Sequence, residues 1–228
     1  MDLLVIRHGQ SANNLVWERT GASIGRVAEP RLTDLGHEQA RRLAAAFASG
    51  HYPVRPTALY CSLMTRAVQT AAPLADALDV DLHGHLDAFE VGGPLDWDGD
   101  PAVERRHHPG LGAAQLAALS PRLRLPEGAG EQGWWLGPVE DEADAPERAR
   151  RLVADLRGRH TGEHEVIAVV CHAWFAQFLL RELLGIPTMT GWIGIDNTGV
   201  SLVQQLGDDV IASWVNRLTH LESHQVTS

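Results

Sequence analysis

Leu3-Leu4-Val5-Ile6 open the chain without polar alternation. That is the pattern of a strand buried on both faces inside an α/β sheet. Thr57-Ala58-Leu59-Tyr60-Cys61 and, more strongly, Glu165-Val166-Ile167-Ala168-Val169-Val170-Cys171 repeat it, and Asp81-Leu82-His83 reads as a short further strand. Helical spacing fills the intervals. Thr33 is an N-cap for a helix with Leu35, Ala40, Leu43, Ala44 and Phe47 on one face, ending at Gly50. Further helices are predicted over about 64–78 and 173–184, the second stopped by Gly185 and Pro187. Another opens at Glu140-Asp141-Glu142 and Asp144-Ala145-Pro146 and carries Arg148, Arg150, Arg151 and Arg157 later. Acid first and base last suits the helix dipole, and these arginines read as a solvated face. Asn197 to Leu206 and Val210 to Val215, parted by Gly207-Asp208-Asp209, read as a closing hairpin or paired edge strands. Residues 10–31, broken by Gly21, Gly25 and Pro30, read as a loop. The stretch 90–137 is rich in Gly and Pro, with a short helix expected only over Ala113 to Leu119, and the last seven residues read as disordered.

Strand and helix alternate, which predicts a three-layer α/β/α sandwich with a mostly parallel central sheet. Right-handed crossovers then put the strand ends on one face, where open α/β sheets bind ligands. The corners Arg7-His8-Gly9, Cys61-Ser62 and Cys171-His172 would meet there. One domain over residues 1–228 is expected, with an insertion at about 90–140 covering that face.

Composition narrows the chemistry. Four Phe and two Tyr among 228 residues leave an aliphatic interior. The net charge of −10 argues against a nucleic-acid or anionic-membrane partner, so any anion site must be local. No apolar run is long enough to cross a membrane, no signal-like segment opens the chain, and a cytoplasmic location is expected. Two cysteines, Cys61 and Cys171, make no disulfide framework. Twelve histidines invite a metal, but no ligand spacing is present and His107-His108 is the only adjacent pair, so neither metal nor other cofactor is expected. Arg7 beside His8 pairs a fixed planar cation with a group that is a neutral nucleophile near pH 7, a combination suited to an anion. Gly9 would let backbone N–H groups approach an oxyanion. On its own the tripeptide describes a core histidine equally well.

The continuation separates the two readings. Arg7-His8-Gly9-Gln10-Ser11, then Asn14, then Thr20-Gly21, resembles the signature of the histidine phosphatase superfamily, which includes the cofactor-dependent phosphoglycerate mutases. Three more stretches resemble that family in the right order: Leu32-Thr33-Asp34-Leu35-Gly36 with Gln39-Ala40, Ser62 to Ala67 with Gln69-Thr70-Ala71, and Val170-Cys171-His172-Ala173. The resemblance implies a phosphoglycerate mutase-like fold and a phosphatase that works through a phosphohistidine on His8. Arg7, Arg66 and His172 would hold the phosphoryl oxygens, and Ser11, Asn14, Thr20, Gly21 and Ala173 would assist in binding. The family also implies a carboxylic acid for the leaving oxygen, after the second helix. Asp87, Glu90, Asp96 and Asp98 all lie in that region. Trp97-Asp98-Gly99 resembles the Trp-Glu-Gly that follows this acid, and Glu90, seven residues before Trp97 and about one more than usual, is the carboxylate to which the resemblance points.

A small phosphorylated substrate is the expected partner, and a homodimer stays open. The nearest alternative is phosphoglycerate mutase-type transfer. Mutases carry Arg and Tyr shortly after the acid, where this chain has Val91-Gly92-Gly93. A non-catalytic member binding a phosphorylated ligand is the other alternative, against which stand His8, Arg7, Arg66 and His172, all present. Arg105-Arg106 reads as a solvated face that could meet an anionic substrate group, and Trp134-Trp135 reads as packing.

Overall fold

The computed structural model describes residues 1–162 and 165–228. In chain order the elements are β1 (Asp2–Arg7), α1 (Ala12–Thr20), α2 (Asp34–Ala48), β2 (Ala58–Ser62), α3 (Thr65–Leu78) and β3 (Leu82–His85). Then come β4 (Leu95–Asp96), β5 (Arg106–His107), α4 (Ala113–Ala117), β6 (Leu123–Arg124), α5 (Ala145–Arg159), β7 (Val166–Cys171), α6 (Ala173–Leu184), β8 (Val200–Leu206) and β9 (Asp209–Arg217). Seven strands form one sheet in the order β6-β3-β2-β7-β1-β8-β9. The first five run parallel, while β8 and β9 are antiparallel to their neighbours. This is the mostly parallel α/β sandwich that the sequence predicts.

The unbroken apolar runs are explained by burial on both faces. Leu4 and Ile6 of β1 and Ala168 and Val170 of β7 pack with Leu43, Phe47, Val68 and Leu74 of α2 and α3. The alternate residues Leu3, Val5, Ile167 and Val169 pack on the other face with Leu152, Leu156, Phe175 and Leu179 of α5 and α6. Cys61 and Cys171 lie in opposite halves of this core. Burial pushes both thiols up, Cys171 to about 12, so they act as small apolar residues.

Three expectations are corrected. The stretch read as a loop contains α1, whose capping box joins Ser11 and Asn14. None of its residues is buried, so it has no apolar stripe by which a pattern could reveal it. The final residues are fastened: Gln225 is buried, and the Thr227 N-terminal neighbour segment forms a short 3-10 helix over Ser223–Gln225. Arg148 is not on a solvated face. It is 1% exposed, bidentate to Glu140 at 2.6 and 2.7 Å, and its guanidinium lies 3.6 Å from the centre of the Phe89 ring and 4.0 Å from that of Phe175. Trp134, by contrast, packs as expected, buried against Phe89.

Candidate active site

β1 and β7 lie side by side with Arg7 opposite Cys171, so His8 and His172 leave adjacent strands at one level. Their ring centroids are 5.1 Å apart. Across β7, Ser62 ends β2, and its Oγ lies 2.9 Å from Nε2 of His172. Arg66, in the first turn of α3, returns over this corner and donates from Nε to Nε2 of His8 at 3.1 Å. Residues far apart in sequence thus meet at the carboxyl ends of three neighbouring strands.

The proton positions follow from the partners. Nδ1 of His8 lies 2.7 Å from the Gly9 carbonyl, which only accepts, so Nδ1 carries the proton and Nε2 the lone pair. Burial, with the Arg66 and Arg7 cations beside it, holds His8 well below the usual histidine range and keeps it neutral. His172 is held low by the same burial and by Arg66. It is therefore a neutral imidazole in this state. The Ser62 hydroxyl accepts from the Met64 N–H and can donate to Nε2 of His172, which leaves the proton on Nδ1. That Nδ1 and Nε of Arg7 are buried with no partner among the described residues. Arg7 is otherwise fixed by donation to the Ile195 carbonyl at 2.6 Å. Burial lowers Arg66 to about 10 and also lowers Arg7, while Glu90 opposes both shifts; each stays protonated at neutral pH.

Hydrogen bonds hold the loop that carries His8. The Thr198 N–H donates to the carbonyls of Arg7 and His8 at 3.1 and 3.3 Å, and Asn197 Nδ2 donates to the His8 carbonyl at 3.0 Å. Thr198 has φ +60°, a strained conformation for a β-branched residue. The Gly9 N–H is not free for an oxyanion: it donates to Thr70 Oγ1 at 2.9 Å. The glycine answers a close approach instead. A Cβ there would lie 2.7 Å from the Gly36 oxygen, and one on Gly36 would lie 2.1 Å from the Gln10 oxygen. The two loops cross backbone against backbone.

Glu90 sits at the start of α6. Its Oε1 accepts from the N–H groups of Phe175 and Val91, both at 2.9 Å, and its Oε2 from Trp174 at 3.3 Å. Glu29 does the same for α3, taking the Thr65 N–H at 2.8 Å. Carboxylates therefore occupy both helix ends, and Ala173, first in α6, keeps an N–H with no intrahelical carbonyl to receive it. Arg148 donates to the carbonyls of Asp87 and Phe89, both at 2.8 Å, and so fixes the segment that presents Glu90.

A cleft of about 490 Å³ opens above, with Arg66 and Glu90 at its floor. His8, Arg7 and His172 lie beneath, almost wholly buried. Its walls include Asn13, Arg26, Val27, Met64, Gly92, Trp97, Arg105, Asp141, Glu142 and Trp174. Ser11 and Asn14 spend their side chains on each other in the α1 cap, at 2.7 Å. Thr20 and Gly21 do not reach the cleft: Gly21 caps the far end of α1, and the Thr20 hydroxyl donates to the Val16 carbonyl at 2.7 Å. Arg26, Asn13 and Glu29 gave no sequence signal, because that stretch has no period. Among the described residues no group of three or more His, Cys, Asp or Glu side chains is placed to hold a metal ion. None of the helices described is long and apolar enough to cross a membrane.

Fold and site together define an α/β protein with a buried cluster of two histidines and two arginines at the carboxyl ends of its central strands. The chain belongs to the histidine phosphatase superfamily: the sequence model of its branch 1 matches residues 3–217. Solved structures share the fold. A phosphoserine phosphatase mutant from Entamoeba histolytica, in complex with phosphoserine, is similar at 22% identity and a TM-score of 0.63, covering 97% of this chain and 99% of that one. A mycobacterial glucosyl-3-phosphoglycerate phosphatase in complex with VO3 gives 22%, 0.61, 94% and 98%. Bacillus stearothermophilus YhfR gives 19%, 0.64, 97% and 99%. No curated protein sequence matches the chain.

Proposed function

We propose that this chain is a metal-independent phosphatase that hydrolyses a small phosphomonoester through a phosphohistidine on His8. The observation that carries this reading is the locked tautomer of His8: Nδ1 donates to Gly9, so the lone pair is on Nε2, between Arg66 and His172. The solved relatives named as phosphatases support it by fold.

Phosphomonoester hydrolysis needs more than ~20 kcal/mol of barrier lowering, most of it from positioning and charge. Nε2 of His8 attacks phosphorus as the bond to the ester oxygen breaks. Arg7 Nε, His172 Nδ1, the Ala173 N–H and the terminal nitrogens of Arg66 hold the three equatorial oxygens. Glu90 gives its proton to the departing alkoxide. In the second half it takes a proton from water, whose oxygen attacks phosphorus and frees His8 and inorganic phosphate. The segment at about 90–140, on this reading, is an insertion that shapes the substrate end of the cleft.

The test is a phosphomonoester panel assayed with a chelator, with and without bisphosphoglycerate. Turnover with chelator, an acid-labile and base-stable phosphoenzyme, and no turnover by His8→Ala are expected. Full activity in His8→Ala overturns the covalent mechanism. Transfer that needs bisphosphoglycerate would favour the mutase reading.

A further inference from the structure

We propose that Arg26 and Arg105 form a second anion subsite, so that the substrate is a phosphomonoester bearing another anionic group, a carboxylate or a second phosphate. This rests on the phosphatase reading above. Both arginines line the same cleft as Arg66 and Glu90. Their guanidinium carbons lie 5.9 and 4.7 Å from the Trp97 ring centre, so one indole carries both cations. Among the described residues neither side chain makes an ion pair or a hydrogen bond, although the protein's net charge is −10 and most of its other arginines have carboxylate or carbonyl partners.

Two like charges held near one ring repel each other unless an anion lies between them. Each felt charge agrees with this geometry. Burial lowers Arg26, Glu90 raises it and Arg105 lowers it, so Arg26 sits within electrostatic reach of Arg105 and of the acid at the cleft floor. Acidic residues line the same cleft. Asp141 and Glu142 lie there, the latter accepting from Trp174 Nε1 at 3.3 Å, while Glu140 is neutralised by Arg148. Arg26 and Arg105, at Trp97, are thus cations of this cleft without a carboxylate or carbonyl partner among the described residues, and a substrate's second negative charge would lie there. Arg106, the next residue, faces away: it meets Asp96 at 3.9 Å in the small β4–β5 ribbon.

The experiment compares propyl phosphate, 3-phosphonooxypropanoate and propane-1,3-diyl bisphosphate. The wild type should favour one or both of the last two by about tenfold or more in kcat/KM, mainly through KM, as expected for a charge-assisted contact. In Arg26→Gln/Arg105→Gln that ratio should fall to about one, whereas Arg106→Gln should keep the wild-type ratio. Which anionic arm is preferred tells carboxylate from phosphate. A ratio near one in the wild type, a ratio unchanged in the double variant, or an equal loss on all three substrates overturns the subsite. The last result would place the arginines on the transferred phosphoryl group. No turnover of any ester overturns the phosphatase reading instead, and calorimetric binding of the same compounds then decides the subsite by the same ratio.

Discussion

Nε of Arg66 donates to Nε2 of His8 at 3.1 Å, so the guanidinium occupies the lone pair with which His8 would attack phosphorus. The cleft stops at Arg66, with His8 beneath it. On the proposed mechanism a phosphoryl group entering the site would compete for that donor, and Arg66 would exchange a nitrogen for phosphoryl oxygens as His8 is released. Arg66→Lys keeps the charge but removes the planar fork. It should lower kcat/KM by about 10²–10³-fold, the loss typical of a single oxyanion donor. Unchanged steady-state kinetics would show that Arg66 does not hold the phosphoryl group.

The acid role of Glu90 is tested by leaving group. Glu90→Gln should slow alkyl phosphates by about 10²–10⁴-fold, the range of general acid catalysis. An ester with a good leaving group, such as p-nitrophenyl phosphate, needs little proton transfer and should lose much less. Because Glu90 also accepts two N–H groups at the start of α6 and that of Val91, the variant should lose about 1 kcal/mol of stability, readable as a small drop in Tm. Equal kinetic losses on both esters would move the acid role elsewhere.

Arg148 and Glu140 are 1% and 7% exposed as side chains, so removing one strands the other's charge. Arg148→Met should cost about 3–5 kcal/mol in denaturant unfolding, and adding Glu140→Gln should recover part of it. Since Arg148 also holds the carbonyls of Asp87 and Phe89, just before Glu90, the single variant should lose kcat as well. A loss under about 1 kcal/mol, the scale of a surface pair, would contradict the burial.

Sequence patterns reached the parts of this structure that one strand or one motif encodes. β1, β2 and β7 were legible because burial on both faces leaves no polar position in the run. His8, Arg7, Arg66 and His172 were legible through their motifs, and the parallel topology brings their strand ends together. Arg148 was not, because four arginines on a helix look alike whether a carboxylate from another segment pairs one of them or water solvates all. α1 was missed because it buries nothing. The cleft's Arg26 lies in a stretch without period, and only the fold shows that it shares Trp97 with Arg105.

His220 offers a pH-dependent reading of stability. Burial lowers it to about 4, where it lies 2.7 Å from Tyr52 Oη and 3.0 Å from Thr198 Oγ1. The unfolded chain takes up this proton near pH 6.5, the folded protein only near 4. Stability from the neutral ring is therefore complete above about pH 6.5 and is lost as pH falls toward 4, by roughly 3 kcal/mol for this group. His8 and His172 shift in the same direction and add to the slope. His220→Gln should flatten the dependence of unfolding free energy over that window. An identical slope in the variant would assign it to other groups.

The C-terminal residues support the His8 loop from behind. Thr227 Oγ1 donates to Asn197 Oδ1 at 2.9 Å, and Asn197 Nδ2 donates to the His8 carbonyl at 3.0 Å. Gln39 Nε2 donates to Thr227 Oγ1 and to the Gln225 carbonyl at 2.9 and 2.8 Å, while its Oε1 accepts the Gln10 N–H at 2.7 Å. Gln39 and Asn197 are fully buried, so each bond in this chain replaces water that cannot enter. Thr227→Val keeps the shape but leaves Asn197 Oδ1 without its donor, at a cost of about 1–3 kcal/mol. Because the strain passes to the His8 loop and not to the cleft walls, kcat should fall while KM stays near the wild-type value. Thr227→Ser restores the hydroxyl and should restore both stability and kcat. If Thr227→Val lowers stability alone, with kcat intact, the tail fastens the fold without positioning His8.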